Sequence, residues 1–358
     1  MLRSWLAALA LTLAGLAVLV WAVPSAPLTG DGQYYVEFVR NGLQHGASSW
    51  HERRLLGPAI VRALPLDPLD GFHLLTLACL AATAVLMWRS TTSLLAIPLL
   101  LGTWVVAPNL REYGLVDPLA WAFVAAVWLA SVHRAWLWAA LLAALGVLAK
   151  EVVVLAAVAA AAAAWERKKP WLAFAVAAPA VAMVVALTVL VPGSGTDAAA
   201  YVLKWVRDGL GSLGPVRAVY LVFASYGVLW LLLPIGWRAL PAHLQRAGAV
   251  YLLAAVALPF VGSPERMEEA IFPLLVSAAV LATCRWHAAA AWGLALGNVL
   301  FVARVGGDAR VPTLLAWAGL AAACGLIGLS WLRARWPFPR SVRQRLPSQP
   351  STSVNPPQ

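Results

Sequence analysis

The sequence predicts an all-α fold: a polytopic bundle of about 12 transmembrane helices, some short, with interfacial helices in the outer loops. Three observations favour this fold. Of the 358 residues, 62% are hydrophobic and only 11% charged, whereas soluble domains carry about 25% charged residues. Many apolar runs approach the roughly 20 residues that cross a bilayer. Nearly all carboxylates lie in every second connection between runs. This composition excludes an ordinary soluble domain.

The apolar runs define the predicted spans. The first run follows Arg3 and ends before Pro24. It is longer than the core of a typical secretory signal and further runs follow at once, so we interpret it as an uncleaved first span. Several of the later runs have only about 14 residues, which predicts tilted or incomplete spans. The later runs cover residues 71–87, 93–106, 118–132, 135–149, 152–165, 171–191, 218–235, 248–261, 270–283, 288–303 and 313–332.

The basic residues predict the orientation, because cytoplasmic connections are enriched in lysine and arginine. With a cytoplasmic N-terminus, the inner connections and the C-terminal tail hold 14 of the 26 basic residues and one acid, Glu166. The outer connections hold the other 12 basic residues and 14 of the 15 acids. Both termini are therefore predicted to be cytoplasmic. Lys150-Glu151 is predicted to interrupt the apolar stretch around it. One continuous span there would place the basic residues 167–169 outside and invert the orientation of every later span.

The chain is predicted to form one transmembrane domain, residues 1–335, followed by a disordered cytoplasmic tail, residues 336–358, rich in Pro, Ser and Arg. The net charge of +11 is explained by inner loops and a tail that face anionic lipid, without a nucleic-acid partner. Cys79, Cys284 and Cys324 lie in apolar runs without metal or disulfide spacing. They are interpreted as small buried hydrophobic residues.

Two outer loops, residues 24–70 and 192–217, are long enough to carry structure. Residues 36–43, 51–64 and 198–210 have the pattern of interfacial helices over a bundle. Acids and arginines also recur at the outer ends of successive helices. Where such charges converge over a bundle at membrane depth, they indicate a functional site.

Five short motifs in the outer connections carry a resemblance to a known family. They are Asp31 followed by Tyr34 and Tyr35, Arg-Arg-Leu-Leu-x-Pro at 53–58, Val-Asp-Pro-Leu-Ala at 116–120, Leu-Ala-Lys-Glu at 148–151, and Glu-Arg followed by a proline at 265–273. With the overall layout, these motifs resemble the bacterial members of the GT-C superfamily of polytopic glycosyltransferases. The chain departs from the family in having Gly32, and not a second acid, after Asp31, and in that a short tail, and no large soluble C-terminal domain, is expected after the last span.

The resemblance implies a glycosyltransferase of the bacterial cytoplasmic (inner) membrane. Such an enzyme takes a sugar from a polyprenyl-phosphate donor at the non-cytoplasmic face and passes it to an envelope acceptor, which is a glycan, a lipid or a protein. The reaction needs a base for the acceptor hydroxyl, positive charge for the leaving phosphate and an apolar groove for the lipid. Membrane lipids are the remaining expected partners.

Asp31 is the candidate catalytic base, because a carboxylate in hydrogen-bond reach can take the hydroxyl proton and an unperturbed Asp is ionised at neutral pH. The alternative is a structural role at a turn or helix start, since Asp-Gly is a common turn pair. Tyr34 and Tyr35 are candidate substrate contacts by the same resemblance. Aromatic residues are, however, expected at any membrane interface.

The other candidate substrate-binding residues also have two interpretations each. Arg53 and Arg54 suit the leaving phosphate, or anchor headgroups or pair with Glu52. Lys150 suits the phosphate, or neutralises Glu151 beside it. Further candidates are Arg111 and Asp117 in one outer connection, and Glu265 and Arg266 in a late one. Asp117 equally suits a helix N-terminus. Glu265 and Arg266 equally suit an ion pair that holds two loops together.

No metal ligand set is predicted, because His45 and His51 lack partners with metal-site spacing. A divalent cation is compatible with this chemistry, but the sequence does not indicate one, and the cofactor stays unassigned. Two other classes of function compete with the transferase. A transporter or flippase for a lipid-linked or anionic substrate is expected to carry ionisable groups in mid-helix or broken helices in two repeated halves. A non-catalytic membrane scaffold is expected to tolerate replacement of its outer carboxylates.

Overall fold

A computed structural model describes residues 2–23, 25–28, 30–42, 49–103, 106–166, 169–191, 207, 214–257, 268–284, 286, 288–305 and 313–333. Within these ranges all regular secondary structure is helical, which confirms the predicted all-α class. The predicted tail, most of the loop 192–217, and Glu265 and Arg266 lie outside the described residues.

The helices follow in this order: α1 Leu2–Ala22, α2 Gly30–Asn41, α3 Ser49–Glu52, α4 Leu56–Ala63, α5 Pro68–Thr91, α6 Ala96–Leu101, α7 Ala107–Arg111, α8 Asp117–Val132 and α9 Trp136–Val147. The second part of the chain contains α10 Val153–Ala164, α11 Trp171–Leu190, α12 Gly214–Tyr226, α13 Leu229–Trp237, α14 Ala242–Ala257, a 3-10 helix Glu268–Ile271, α15 Phe272–Thr283, α16 Ala288–Val305 and α17 Thr313–Arg333.

The apolar helices indicate a membrane protein. Among the described residues, three helices, α1, α5 and α11, are long and apolar enough to cross a bilayer, and several shorter apolar helices accompany them. Both α1 and α11 expose large apolar side chains, such as Leu13 and Phe174. A soluble protein rarely leaves apolar patches of this extent in contact with water. The number of spans stays a prediction, because the shorter helices do not reach the length of a full crossing.

The core lies between α5, α8, α9, α10 and α11, which pack on one another, with α14 against α10. Alanines fill the buried faces of α9 and α10, so these helix backbones approach closely. Two tryptophans of α8, Trp121 and Trp128, are fully buried. The indole of Trp128 donates a hydrogen bond of 3.0 Å to the Ser277 hydroxyl of α15, which satisfies its one polar atom.

Two predicted spans are interrupted. The run 93–106 forms the six-residue helix α6, whose side chains are nearly all buried; at 1.5 Å per residue it is about 9 Å long. The run 218–235 is divided between α12 and α13 by Gly227, which has a φ of 55°. The fully buried Asn298 of α16 stabilises this break, because its side-chain oxygen accepts from the Val228 N–H at 2.9 Å.

The predicted first outer loop forms three short helices beside one end of α5, where α2 and α4 pack on α5 and α3 packs on α2. Helix α2 buries Tyr35, Val36 and Val39 against α4 and α5. The predicted continuous helix over 51–64 is corrected: α3 ends at Glu52 and α4 begins at Leu56. Arg53 and Arg54 therefore lie in the break between two helices. An interfacial position for α2 and α4 stays a prediction.

The long-range contacts separate the bundle into two ends. At one end the Leu56 N–H donates to the Leu148 carbonyl at 2.9 Å, and the Ala26 N–H to the Arg111 carbonyl at 2.8 Å. At the other end Arg89 lies 5.1 Å above the Trp5 ring. Each contact joins two residues that lie in connections or at span ends predicted to be on the same side of the membrane. Which end faces the cytoplasm stays a prediction.

Candidate functional site

Arg54 is the centre of a set of polar contacts at the end of the bundle formed by the first outer loop. Its Nε and Nη2 donate to the two carboxylate oxygens of Glu151 at 3.0 and 2.6 Å. Its Nη1 donates to the Tyr35 hydroxyl at 3.1 Å. This two-pronged geometry is the strong form of an arginine–carboxylate pair. Three parts of the chain are joined in this way, because Tyr35 lies on α2, Arg54 between α3 and α4, and Glu151 in the turn between α9 and α10.

A second ion pair lies beside the first. The ammonium of Lys150 donates to the Asp117 carboxylate at the start of α8. Both side chains are almost fully buried, with 5% and 2% of their surface exposed. The ammonium also lies 5.4 Å from the centre of the Trp121 ring, in cation–π contact. Lys150 and Glu151 therefore pair with different partners, although they are neighbours in sequence.

Asp31 lies in the first turn of α2 and pairs with a histidine. Its Oδ1 is 2.8 Å from Nε2 of His51 in α3. The imidazole also contacts the rings of Tyr34 and Tyr35, at centroid distances of 5.4 and 5.8 Å. Unlike the Lys150 pair, this pair is partly open to the exterior, with 21% of the His51 and 27% of the Asp31 side chain exposed.

A close backbone contact positions the Asp31 end of α2. Gly32 lies directly against Gly114, in the connection that precedes α8: a Cβ added to Gly114 would fall 2.6 Å from the Gly32 Cα. Only glycine permits this approach. The contact brings the start of α2 next to the start of α8, and with it Asp31 toward Asp117.

We call the joined residues the polar cluster: Asp31, Tyr35, His51, Arg54, Asp117, Lys150 and Glu151. The structure thus brings together six predicted site residues and one that was not predicted as a site residue, His51. Tyr34 and Arg53 flank the cluster; Arg53 Nε donates to the Val191 carbonyl at 3.3 Å. Arg111 is exposed at the end of α7 and is not among the residues of the cluster; its backbone carbonyl accepts from the Ala26 N–H.

The late connection reaches the same part of the bundle. Glu265 and Arg266 lie outside the described residues, but the 3-10 helix that follows them packs against α8 and α10. Within it Glu269 is buried, and its carbonyl accepts from the Tyr226 hydroxyl at 2.9 Å. The connection that carries Glu265 and Arg266 therefore ends beside α8, which begins at Asp117, and α10, which follows the turn that carries Lys150.

Two polar atoms at the cluster have no hydrogen-bond partner among the described residues: the Tyr34 hydroxyl and the Trp121 indole N–H, both buried. Most buried polar atoms are paired, with protein or with water. An unpaired donor costs about 1–3 kcal/mol, so these two atoms favour a site that receives water or a ligand.

Burial and charge fix the protonation states around Arg54. Burial opposes ionisation of both partners, but their mutual attraction outweighs it. The pKa of Arg54 is raised by Glu151, and the pKa of Glu151 is lowered by Arg54. Burial, followed by the charge of Glu52, raises the pKa of Tyr34 to about 12. Burial also raises the pKa of Tyr35. Both tyrosines are therefore neutral hydrogen-bonding groups at physiological pH.

Comparison with known proteins gives no relative. No protein-family model, no curated protein and no solved structure matches this chain. The resemblance to GT-C glycosyltransferases therefore stays a prediction from short motifs, and function has to be argued from the polar cluster itself.

The described residues contain no group of three or more His, Cys, Asp or Glu side chains arranged to hold a metal ion. The cluster offers instead a partly open carboxylate, two strong cations and neutral tyrosines on adjacent helices. Such a set can accept a proton at Asp31 and donate hydrogen bonds to an anion at Arg54 and Lys150.

Proposed function

We propose that this protein is a membrane glycosyltransferase that moves a sugar from a polyprenyl-phosphate donor to an envelope acceptor at the non-cytoplasmic face. The observation that carries the proposal is the polar cluster: a carboxylate and two cations from two separate connections meet at one end of an apolar bundle. The proposal includes the predicted bundle of about 12 spans in the cytoplasmic membrane, with both termini inside the cell.

Asp31 is the base in this proposal. The acceptor hydroxyl gives its proton to the Asp31 carboxylate as its oxygen bonds to the anomeric carbon of the sugar. The bond between that carbon and the phosphate oxygen breaks, and the electron pair leaves with the polyprenyl phosphate. The partial exposure of Asp31 supports this role, because an acceptor can reach the carboxylate from outside the bundle.

Arg54 and Lys150 stabilise the leaving phosphate without losing their present partners. Arg54 donates three of its five N–H groups to Glu151 and Tyr35, and Lys150 donates one of its three to Asp117. The carboxylates of Glu151 and Asp117 hold these cations in place, and each carboxylate offsets the charge of the cation with which it pairs. A dianionic phosphate then binds to donors that are already oriented, which reduces the cost of ordering them.

The exposed face of α11 supplies a path for the lipid chain. Val185, Val189 and Leu190 expose more than half of their surface on this helix, and the helix ends one residue before Val191, whose carbonyl accepts from Arg53. A polyprenyl chain lying along this face would bring its phosphate to Arg53, beside Arg54.

The direct test is sugar transfer by the purified full-length protein in lipid vesicles. The probes are polyprenyl phosphates that carry radiolabelled hexose or pentose, with membrane glycolipid extract as the acceptor. We expect label in the acceptor, and an Asp31→Asn variant at least about 100-fold slower, as for loss of a general base. The matched control is Asp67→Asn, an exposed carboxyl of the same loop, with unchanged transfer. Equal transfer by Asp31→Asn and the unmodified protein would overturn the assignment of the base.

A transporter of a lipid-linked or anionic substrate is the second candidate, and the buried Lys150–Asp117 pair favours it. Buried ionisable pairs in membrane proteins often line substrate or proton pathways. The same vesicles separate the two functions. A flippase moves intact labelled donor to the opposite leaflet and leaves the bond between sugar and phosphate unbroken, whereas a transferase releases polyprenyl phosphate.

A further inference from the structure

His51 is the member of the polar cluster that contacts Asp31, the proposed base. It is separated from Asp31 by 20 positions in sequence and lies on a different helix, so their contact is not a consequence of helical spacing. The pair has the short distance of a charge-assisted hydrogen bond, with Nε2 2.8 Å from Oδ1.

We infer that His51 is the positioning residue of Asp31: its Nε2–H fixes the carboxylate in the orientation that accepts the acceptor's proton. The inference rests on the proposed function. The Tyr34 and Tyr35 rings pack beside the imidazole and restrict its rotation. Tyr35 is itself held by Arg54, so the orientation of Asp31 is tied to the residues assigned to the phosphate.

A positioning role explains why the His51–Asp31 pair lies at a partly exposed position. A partly exposed histidine–carboxylate pair contributes little to stability, because solvent screens it. Orientation of a reacting group, in contrast, changes rates strongly: a misplacement of about 1 Å can cost about 100-fold. The imidazole stays a hydrogen-bond donor through the reaction, and the proton that leaves the acceptor resides on Asp31.

The kinetic test compares His51→Ala and His51→Gln in the vesicle transfer assay. We expect His51→Ala to lower kcat about 10- to 100-fold while the KM for the donor stays within about 2-fold. His51→Gln keeps an N–H donor at similar reach and should recover most of kcat. The control is His133→Ala, an exposed histidine at the other end of the bundle, which should leave both constants unchanged.

Three outcomes separate the assignments. Unchanged kcat in His51→Ala, with Asp31→Asn inactive, overturns the positioning role and leaves the proposed function standing. An equal loss in His51→Ala and His51→Gln, accompanied by a lower melting temperature in both, also overturns it, because it shows a packing role. Full activity of Asp31→Asn overturns the base assignment of the proposed function, and the role of His51 with it.

A second measurement needs no activity. Nitrogen-15 NMR of the histidine-labelled protein, with the His51 signal assigned by its loss in His51→Gln, reports which ring nitrogen carries a proton. The inference requires a proton on Nε2, and Asp31→Asn should shift that signal. An unprotonated Nε2 at neutral pH cannot donate to Asp31 and overturns the inference.

Discussion

At the residue scale, Arg54 is the side chain on which the polar cluster depends. Its side chain is buried, with 8% of the residue exposed, and it donates hydrogen bonds to both Glu151 and Tyr35. Removing one partner of such a pair is costly, because the other charge is left buried without compensation. An exposed pair in the same loop, Arg40 with Asp67 at 3.4 Å, lacks this penalty because water solvates both groups.

Arg54→Gln is therefore expected to lower the free energy of unfolding by about 2 kcal/mol, the scale of a lost hydrogen bond to a charged group. Arg40→Gln, the matched control, is expected to leave it nearly unchanged. Thermal unfolding of the detergent-solubilised protein measures both. Equal melting temperatures for Arg54→Gln and the unmodified protein would contradict the importance given to this pair.

The Arg54–Glu151 pair also predicts a pH dependence. The folded-state pKa of Glu151 is lowered from its usual 4.5 by Arg54 against the opposing effect of burial. The contribution of the pair is therefore fully present above pH 4.5 and is lost as the pH falls through the lower folded-state value. The difference in melting temperature between the unmodified protein and Glu151→Gln should be constant from pH 7 to 5 and shrink only below 4.5. A difference that already vanishes at pH 6 would contradict this account.

Sequence reasoning found the residue types of the site but not their partners. One of the two interpretations of Lys150 from sequence, that it neutralises Glu151 beside it, is wrong, because the turn directs Lys150 to Asp117 and Glu151 to Arg54. His51 was considered only as a metal ligand. A signal was present, since His51 opens the charged stretch that carries Arg54 in the same outer loop as Asp31. A single sequence cannot, however, show which of several polar groups meet across helices.

At the element scale, the approach of α2 to the connection before α8 determines where Asp31 lies. Gly32 and Gly114 are in backbone contact there. The periodicity of the outer loop predicted helices but gave no sign of this contact, because two isolated glycines also suit ordinary turns. The same limit applies to the break between α3 and α4, which places Arg53 and Arg54 outside any helix.

Gly114→Ala should displace α2 from α8, because its Cβ would fall 2.6 Å from the Gly32 Cα. We expect loss of most transfer activity together with a lower melting temperature. Gly293→Ala is the control: Gly293 lies within α16 with nothing within 4 Å of an added Cβ, and alanine favours helix. Retained activity in Gly114→Ala would show that the position of α2 does not matter for the reaction.

At the scale of the whole molecule, composition and run length were enough to predict a helical membrane protein. The interruption at Lys150-Glu151 is also confirmed, since α9 ends at Val147 and α10 begins at Val153. The number of spans could not be derived in the same way, because apolar runs such as 93–106 are also found in short buried helices like α6. Hydropathy does not distinguish a side chain in lipid from one in a protein core.

The predicted orientation is tested by cysteine labelling in a variant whose three native cysteines are replaced by alanine. Arg40→Cys, at the end that carries the polar cluster, should react with a membrane-impermeant maleimide in intact cells, because that end is predicted to lie outside. Lys169→Cys and Arg238→Cys should react only after the membrane is opened. The reverse pattern would place the polar cluster on the cytoplasmic side and exclude a donor site at the non-cytoplasmic face.

The central claim is that the polar cluster holds a polyprenyl phosphate next to Asp31. A cryo-electron microscopy structure of the protein with added polyprenyl phosphate tests it most directly. The account predicts the phosphate within about 4 Å of the cationic groups of Arg53, Arg54 or Lys150, with the isoprenoid chain along α11. Lipid density confined to the opposite end of the bundle, near Arg89 and Arg246, with Arg54 and Lys150 bound only to their own carboxylates, would contradict it.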